Sequence, residues 1–468
     1  MIGDPVTISG RDGIYAKPVL ERLILTGGKE GYLPMLAESW TLTPDESAYI
    51  FKLKKGVKFH DGTDFNAQAV KWNLDRQIAY QLEFNTARIP EVDSVDVIDD
   101  YTVRLNLNTW NGLIFSGLNA FSLMISPTAF EANGQEWAEA NPIGTGPFKM
   151  TKHTRGISVV YEKFDDYWGG APLLDEVRMI FISDEVTAMA AALAEETQAG
   201  TDVTPENAAQ LDEDPRFTIY SSYNLHTHLT INTKDPTLPF YDKRVRYAME
   251  YALDKETMNN VFGKGYTRLL NTVLPASLGH PSIPDRTYDP AKAKALLTEA
   301  GYPNGFKAGM IRHQGYPSDV CVAIQGYYGE VGIDMPIVVN TRAAFQAWRY
   351  VGHPTEIIWQ PMGTGIDPLY GASQLFGIGS RGEGEGGFVA RPAGLVDLIE
   401  QAKMTRDPAR AAELLIQAET LGYEDAMMIP LWTRRNIIHV NTARIQDLVM
   451  LPTNNDTQMD ASKAWFKE

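Results

Sequence analysis

Strand-like and helix-like segments interleave along the whole of this chain, which restricts its fold to the α/β or α+β class. Asp289-Pro290 opens a run through Ala295, Leu296 and Leu297 that closes at Gly301. An acceptor at the N-cap, proline in the first turn and glycine past the end predict a helix there. Asp407-Pro408 opens a second, with Ala411, Leu414, Leu415 and Ala418 on one face and Gly422 as the expected stop. Val245, Ala248, Met249 and Ala252 mark a third helix by their spacing, and Val70, Leu74 and Ile78 a fourth. Strands alternate instead. Tyr49, Phe51 and Leu53 share one face of a short run, and the segment Tyr101–Leu107 repeats the pattern. Between Tyr223 and Asn232, Leu225, Leu229 and Ile231 point one way; Asn224, His226, His228 and Asn232 point the other.

A chain of 468 residues exceeds what one core usually supports, so about two or three domains are expected. No stretch approaches the ~20 consecutive apolar residues of a bilayer-spanning helix. The net charge of -17, from 59 acidic and 42 basic residues, repels phosphate backbones and anionic lipid. The longest basic clusters, Lys52, Lys54, Lys55 and Lys58 and the pair Arg434-Arg435, read as solvated strand faces. No nucleic-acid partner is expected. The single cysteine, Cys321, allows no intrachain disulfide and reads as a buried thiol. Its isolation fits an oxidising compartment. The start, Met1-Ile2-Gly3-Asp4-Pro5, lacks the basic and apolar segments of a secretory signal. Either such a signal was removed or the chain was never exported.

Motifs for chemistry are sparse. Gly377-Ile378-Gly379-Ser380-Arg381-Gly382 has the spacing of a dinucleotide fingerprint. That fingerprint works by delivering glycines to a helix N-terminus that holds a pyrophosphate. Here Glu383-Gly384-Glu385-Gly386-Gly387 follows, so Gly377 to Gly387 reads as a mobile loop. Gly263-Lys264-Gly265 lacks the rest of a phosphate loop. His226 and His228 have a spacing that can hold a metal, but a site needs further ligands that no motif supplies. Two polar residues on the wall of a cleft are the better reading. Neither a Gly-x-Ser-x-Gly elbow nor a His-Glu-x-x-His segment occurs, and no pair of carboxylates stands out for glycoside hydrolysis. The residues therefore point away from an enzyme, and no cofactor or metal is expected.

A resemblance adds to this reading. Leu36-Ala37-Glu38-Ser39-Trp40, then Phe51 through Gly62 (Phe-Lys-Leu-Lys-Lys-Gly-Val-Lys-Phe-His-Asp-Gly), then Asn66-Ala67-Gln68-Ala69-Val70 follow one another in order. So do Gly144-Thr145-Gly146-Pro147-Phe148, Asn232-Thr233, the stretch Phe240 to Lys255, and Pro430-Leu431. The series closely resembles the family 5 extracellular solute-binding proteins, the dipeptide, oligopeptide and nickel receptors of ABC importers. The resemblance implies a periplasmic-binding-protein-like fold of two lobes on a hinge, closing over a ligand. The first lobe would comprise residues 1–45, 146–232 and 432–468, with an inserted second domain at 46–145. The other lobe would run from 233 to 431, with crossings near Asn232 and Leu431. It further implies a monomeric, extracytoplasmic receptor without catalysis. Its partners would be a small-molecule or short peptide ligand and the permease subunits of an ABC importer. Family members carry a strand before the residues matching Asp4-Pro5-Val6-Thr7-Ile8, so the first lobe is expected to lack one.

The ligand site implied by the resemblance lies around Trp359-Gln360-Pro361-Met362-Gly363-Thr364-Gly365-Ile366-Asp367-Pro368. Peptide binders of the family place an aspartate three residues before Asp-Pro, where it pairs with the peptide's amino terminus. Thr364 stands there in this chain. A hydroxyl does not replace a charge-assisted hydrogen bond worth about 1.5–3 kcal/mol, so an oligosaccharide or opine-like solute competes with peptide as the expected ligand. Trp359, Thr364, Gly365 and Asp367 are the expected contacts, with His226 and His228 near the crossing. Trp359 either stacks on ligand or packs in the core, and Asp367 is also a natural turn residue. From another class, a peptide or glycoside hydrolase is the rival.

Overall fold

The computed structural model describes residues 3–7, 13–27, 31–80, 89, 91–272, 283–314, 318–341, 344–345, 356–363, 367–377, 388–452 and 457–467. Contacts divide the chain into two compact units. Unit 1 holds Met1–Val203, Gln210–Tyr220 and Ile438–Glu468, and unit 2 holds Thr204–Ala209 and Ser221–Ile437.

Unit 1 has two substantial cores. The first lies under a four-stranded antiparallel sheet of β1 (Ala37–Leu42), β2 (Ala48–Leu53), β3 (Val92–Asp99) and β4 (Thr102–Leu107), in the order β1-β2-β4-β3. Alternation decides its buried face: Tyr49, Phe51 and Leu53 go inward with Val103 and Leu105, while Lys52 stays outside. Helix α1 (Ala67–Ala79), capped by the Asn66 side chain on the Ala69 N–H, covers that face with Val70 and Leu74. Helix α2 (Ile114–Phe121) adds Ile114 and Leu118. The second core gathers around the three-stranded meander β5 (Phe148–Thr154), β6 (Ser158–Lys163) and β7 (Glu176–Ile180).

The turn Gly144–Phe148 knits these parts. Phe148 and Gly146 donate their N–H groups to the carbonyls of Pro18 and Val19, at 3.1 and 2.9 Å. The backbones lie so close that a Cβ on Gly144 would stand 2.1 Å from the Val19 oxygen. His60 reaches the same turn: its N–H donates to Gly144 O, and its Nε2 donates to Gly146 O at 2.8 Å. Burial pushes the His60 imidazole down to about 4, so it sits there neutral. The signature histidine is a structural pin.

Unit 2 is built on a mixed sheet with helices on both faces. Its strands are β8 (Phe217–Ile231), β9 (Thr267–Leu269), β10 (Gly309–His313), β11 (Ile337–Asn340), β12 (Glu356–Gly363) and β13 (Met428–Asn441), ordered β13-β8-β12-β10-β11 with β9 on β13. The division between the units falls within β8 and β13, the strands that lead to Asn232 and carry Leu431. Helices α3 (Lys243–Tyr251), α4 (Lys255–Gly263), α5 (Pro290–Glu299) and α6 (Ser318–Glu330) pack with Leu229, Ile231, Ile357 and Trp359. Cys321 is buried in this cluster, and burial pushes its thiol up to about 12. Helices α7 (Pro368–Phe376), α8 (Leu395–Lys403) and α9 (Pro408–Asp425) pack with Ile311 and Ile358 in a separate cluster.

Helix α9 corrects one expectation. It runs through Gly422 to Asp425, and Ala426 takes the left-handed cap at φ 48°. Gly422 is there for close packing: a Cβ would meet Met427 Sδ at 3.2 Å and Leu395 Cδ1 at 3.7 Å.

A buried charge cluster fastens α3 to its neighbours. Glu250 accepts from Lys255 Nζ at 3.1 Å and from Arg286 Nη1 at 2.6 Å. Arg286 also donates to the Tyr423 carbonyl and lies over the Tyr423 ring at 3.7 Å. All three charges are buried, so removing the carboxylate leaves two cations without their counter-ion. Glu250→Ala is therefore expected to lower unfolding stability by about 3–5 kcal/mol, read as a lower denaturant midpoint for the transition of unit 2.

Candidate functional site

The expected ligand contacts fall on two neighbouring strands of unit 2. β8 and β12 pair antiparallel, with Leu229 opposite Trp359, Thr230 opposite Ile358, His228 opposite Gln360 and His226 opposite Met362. Side chains of directly opposed residues share a face, so this register sorts the candidates into two sets. Leu229 and Trp359 belong to the cluster under α3 to α6; His226, His228 and Thr230 lie on the face that carries Ile358.

Helices cover both faces, and that governs what each candidate can do. Trp359 is 4% exposed and packs among Leu229, Ile231 and Ile357, so its indole belongs to the core of unit 2. His226 and His228 are each 1% exposed. They do not line an open wall in this structure. Burial alone pushes the His226 imidazole down to about 4, which keeps it neutral across the usual pH range. Its two ring nitrogens have no hydrogen-bond partner among the described residues.

Asp367 has a clear structural task. Its Oδ1 accepts from the N–H groups of Leu369 and Tyr370 at 3.0 and 3.3 Å, capping α7, with Pro368 in the first turn. Thr364, Gly365 and the glycine-dense stretch 378–387 lie outside the described residues. Of the six expected contacts, the structure thus brings His226, His228 and Trp359 onto adjacent strands and sets Asp367 at the head of the next helix. Among the described residues no group of three histidine, cysteine or acidic side chains is placed to hold a metal ion. Nor is any described helix long and apolar enough to cross a membrane.

Among the buried acids outside the expected site is Glu21 in unit 1, whose carboxylate meets three side-chain donors. Its signal was present: a lone acidic residue followed by one arginine inside the apolar run Val19 to Leu25. An ionisable group in such a run is either exposed at a strand edge or buried with partners, and only coordinates distinguish the two.

Comparison with known proteins then decides the family. The model for bacterial extracellular solute-binding proteins, family 5 Middle, matches residues 31–383. The chain belongs to this family. This family 5 solute-binding protein is 34% identical, over 277 residues, to the glutathione-binding protein GsiB of Pectobacterium atrosepticum. That match covers 58% of this chain and 53% of GsiB, so it spans about half the length of that relative. Its fold matches the periplasmic binding protein DppA of Helicobacter pylori in complex with the peptide STSA, at TM-score 0.83 and 24% identity. The match covers 100% of this chain and 96% of DppA. The binding protein MoaA of A. tumefaciens R10, in complex with mannopinic acid, matches at TM-score 0.83 and 23% identity, covering 100% and 97% of the two chains.

Two outcomes follow for the candidate residues. Asp367→Ala removes a helix cap and is expected to cost about 1 kcal/mol of stability, measured by chemical denaturation. For His226 the folded imidazole titrates near 4 and the unfolded one near 6.5, so the stability it contributes is present above pH 6.5 and lost as pH falls toward 4. Between pH 7.5 and 5 that loss is on the order of 2 kcal/mol. His226→Gln should remove that share of the pH dependence, seen as a smaller difference between the two denaturation midpoints.

Proposed function

We propose that this protein captures a peptide-like solute outside the cytoplasm and delivers it, unaltered, to the permease subunits of an ABC importer. The observation that carries this reading is the family match over residues 31–383, supported by a fold shared at full length with a peptide-bound receptor. Its relatives are named for binding, and the chain has no nucleophile elbow or zinc-hydrolase signature to suggest chemistry on the ligand. Receptor function asks only for differential affinity: ligand stabilises the conformation that holds it better. Micromolar affinity corresponds to about 8 kcal/mol at standard state, ample to bias an equilibrium of a few kcal/mol. A monomer suffices for that role.

Within this reading the ligand contacts belong to the end of β12 and to Thr364 and Gly365 after it in the chain, and the buried His226 and His228 on the paired strand are left out of the site. Trp359 packs in the core of unit 2 and Asp367 caps α7, so both serve the fold in this reading. An opine-like solute is the second reading. Thr364 favours it, because a hydroxyl suits a polar neutral group better than a peptide ammonium, and a fold relative holds mannopinic acid.

Mass spectrometry of solute released from the purified, denatured protein tests both. A short peptide, with its intact mass recovered after long incubation with fresh protein, is the expected result. Calorimetric titration should then give saturable binding, and ligand at about 100 times Kd should raise stability by about 2.7 kcal/mol. Recovery of an opine or sugar would replace the ligand class, and cleavage of the added peptide would overturn the receptor reading in favour of a hydrolase.

A further inference from the structure

Glu21 is 1% exposed in unit 1, and its carboxylate is met by three neutral side-chain donors. Oε2 accepts from Thr145 Oγ1 at 2.8 Å and from Trp168 Nε1 at 2.7 Å, and Oε1 accepts from the Tyr167 hydroxyl at 2.8 Å. Arg22, next in the chain, does not neutralise it: its Nη1 turns away to the Asn119 carbonyl at 2.5 Å. The carboxylate thus joins three stretches of unit 1 that are remote in sequence, around residues 21, 145 and 167–168. It sits beside the turn that already ties residues 18–19 to 146–148 through backbone bonds.

This arrangement accommodates the carboxyl in either protonation state. Ionised, it accepts three hydrogen bonds. With a proton on Oε1, only one bond reverses: the acid donates to the Tyr167 oxygen, and Oε2 keeps Thr145 and Trp168. The Tyr167 hydroxyl rotates about its C–O bond, so its own proton turns away from Oε1 when the acid donates. Trp168, which can only donate, holds its bond in both states.

We propose that Glu21 is a proton-operated latch in unit 1, tightening the junction of residues 18–21, 144–148 and 164–168 when it binds a proton and loosening it on ionisation. Ionisation leaves a buried charge with no counter-ion among the described residues, a cost that three neutral donors offset only in part. Burial is the main cause that raises the carboxyl to about 7; the Trp168, Thr145 and Tyr167 bonds pull the other way, and the negative charge of Asp460 adds to the rise. Around the junction stand Lys54, whose Nζ lies 4.8 Å over the Trp168 ring, Lys149, whose Nζ lies 4.2 Å over the Phe164 ring, the exposed Asp165 and Asp166, and His60 on the Gly146 carbonyl. His60 stays neutral down to about 4, so it does not titrate with the latch.

The sign follows from linkage. The folded carboxyl titrates above its unfolded value of about 4.5, so the stability it contributes is fully present below that value and is lost as pH rises through about 7. This runs opposite to the buried histidines, so the latch is visible as a difference between variants. The reporter is the Trp168 indole N–H, followed by nitrogen–proton NMR on the full chain and assigned by its absence in Trp168→Phe. In the parent protein the resonance should move between pH 5 and 9 with a midpoint near 7. In Glu21→Gln, which mimics the protonated acid, it should stay fixed. In Tyr167→Phe the midpoint should shift to higher pH, because one donor to the ionised form is gone. Hydrogen exchange of segments 16–23 and 144–148 should quicken from pH 6 to 8, after correction for intrinsic rates, in the parent but not in Glu21→Gln. An indole resonance that does not titrate in the parent, or that titrates alike in Glu21→Gln, overturns the proposal. Should Glu21→Gln fail to fold, an unmoved midpoint in Tyr167→Phe overturns it equally.

Discussion

A sheet covered by helices on both faces is the constraint from which most of unit 2 follows. Helices α3 to α6 pack with Leu229, Ile231, Ile357 and Trp359 and α7 to α9 with Ile358, and the whole run from His226 to Ile231 on β8 is buried beside them. Apolar side chains gain from this. Polar ones must find partners or give up charge, and His226 gives up charge. The same layering explains why Glu250, Lys255 and Arg286 come as a set: a buried ion is tolerated where opposite charge and ring faces meet it directly.

Unit 1 solves a different problem. Its two cores are joined by loops, and loops carry backbone donors and acceptors that must be satisfied when buried. The turn Gly144–Phe148 does this by bringing backbone against backbone, which only glycine permits at position 144. Side chains complete the junction: His60 donates to one carbonyl, and Glu21 collects three donors. A receptor needs each of its units rigid if ligand binding is to act on their relation and not on their interiors, and this junction stiffens unit 1 through polar contacts as well as apolar ones.

Much of the fold could be read from short stretches. The caps Asp289-Pro290 and Asp407-Pro408 open helices where expected, and the alternation of Tyr49, Phe51 and Leu53 buries the face it indicated. The buried thiol of Cys321 followed from its solitude. Gly422 misled because glycine serves both to end helices and to admit a close neighbour, and the local pattern is the same for both. The candidate site was legible in part. Alternation placed His226 and His228 together on one strand face, but a strand in a sheet covered on one side and a strand covered on both alternate alike when the second face happens to carry histidine and threonine.

What this sequence determined by itself was the type and order of its elements and the ordered motifs that place it among family 5 solute-binding proteins. Periods of two and 3.6 residues, caps and motifs are all properties of neighbours along the chain. Tertiary structure alone decided that Trp359 packs inward, that the paired histidines lose contact with water, and that Glu21 meets Thr145 and Trp168 across 124 and 147 residues of chain. Desolvation and hydrogen-bond partnership depend on which remote segments come together, and no local pattern encodes that.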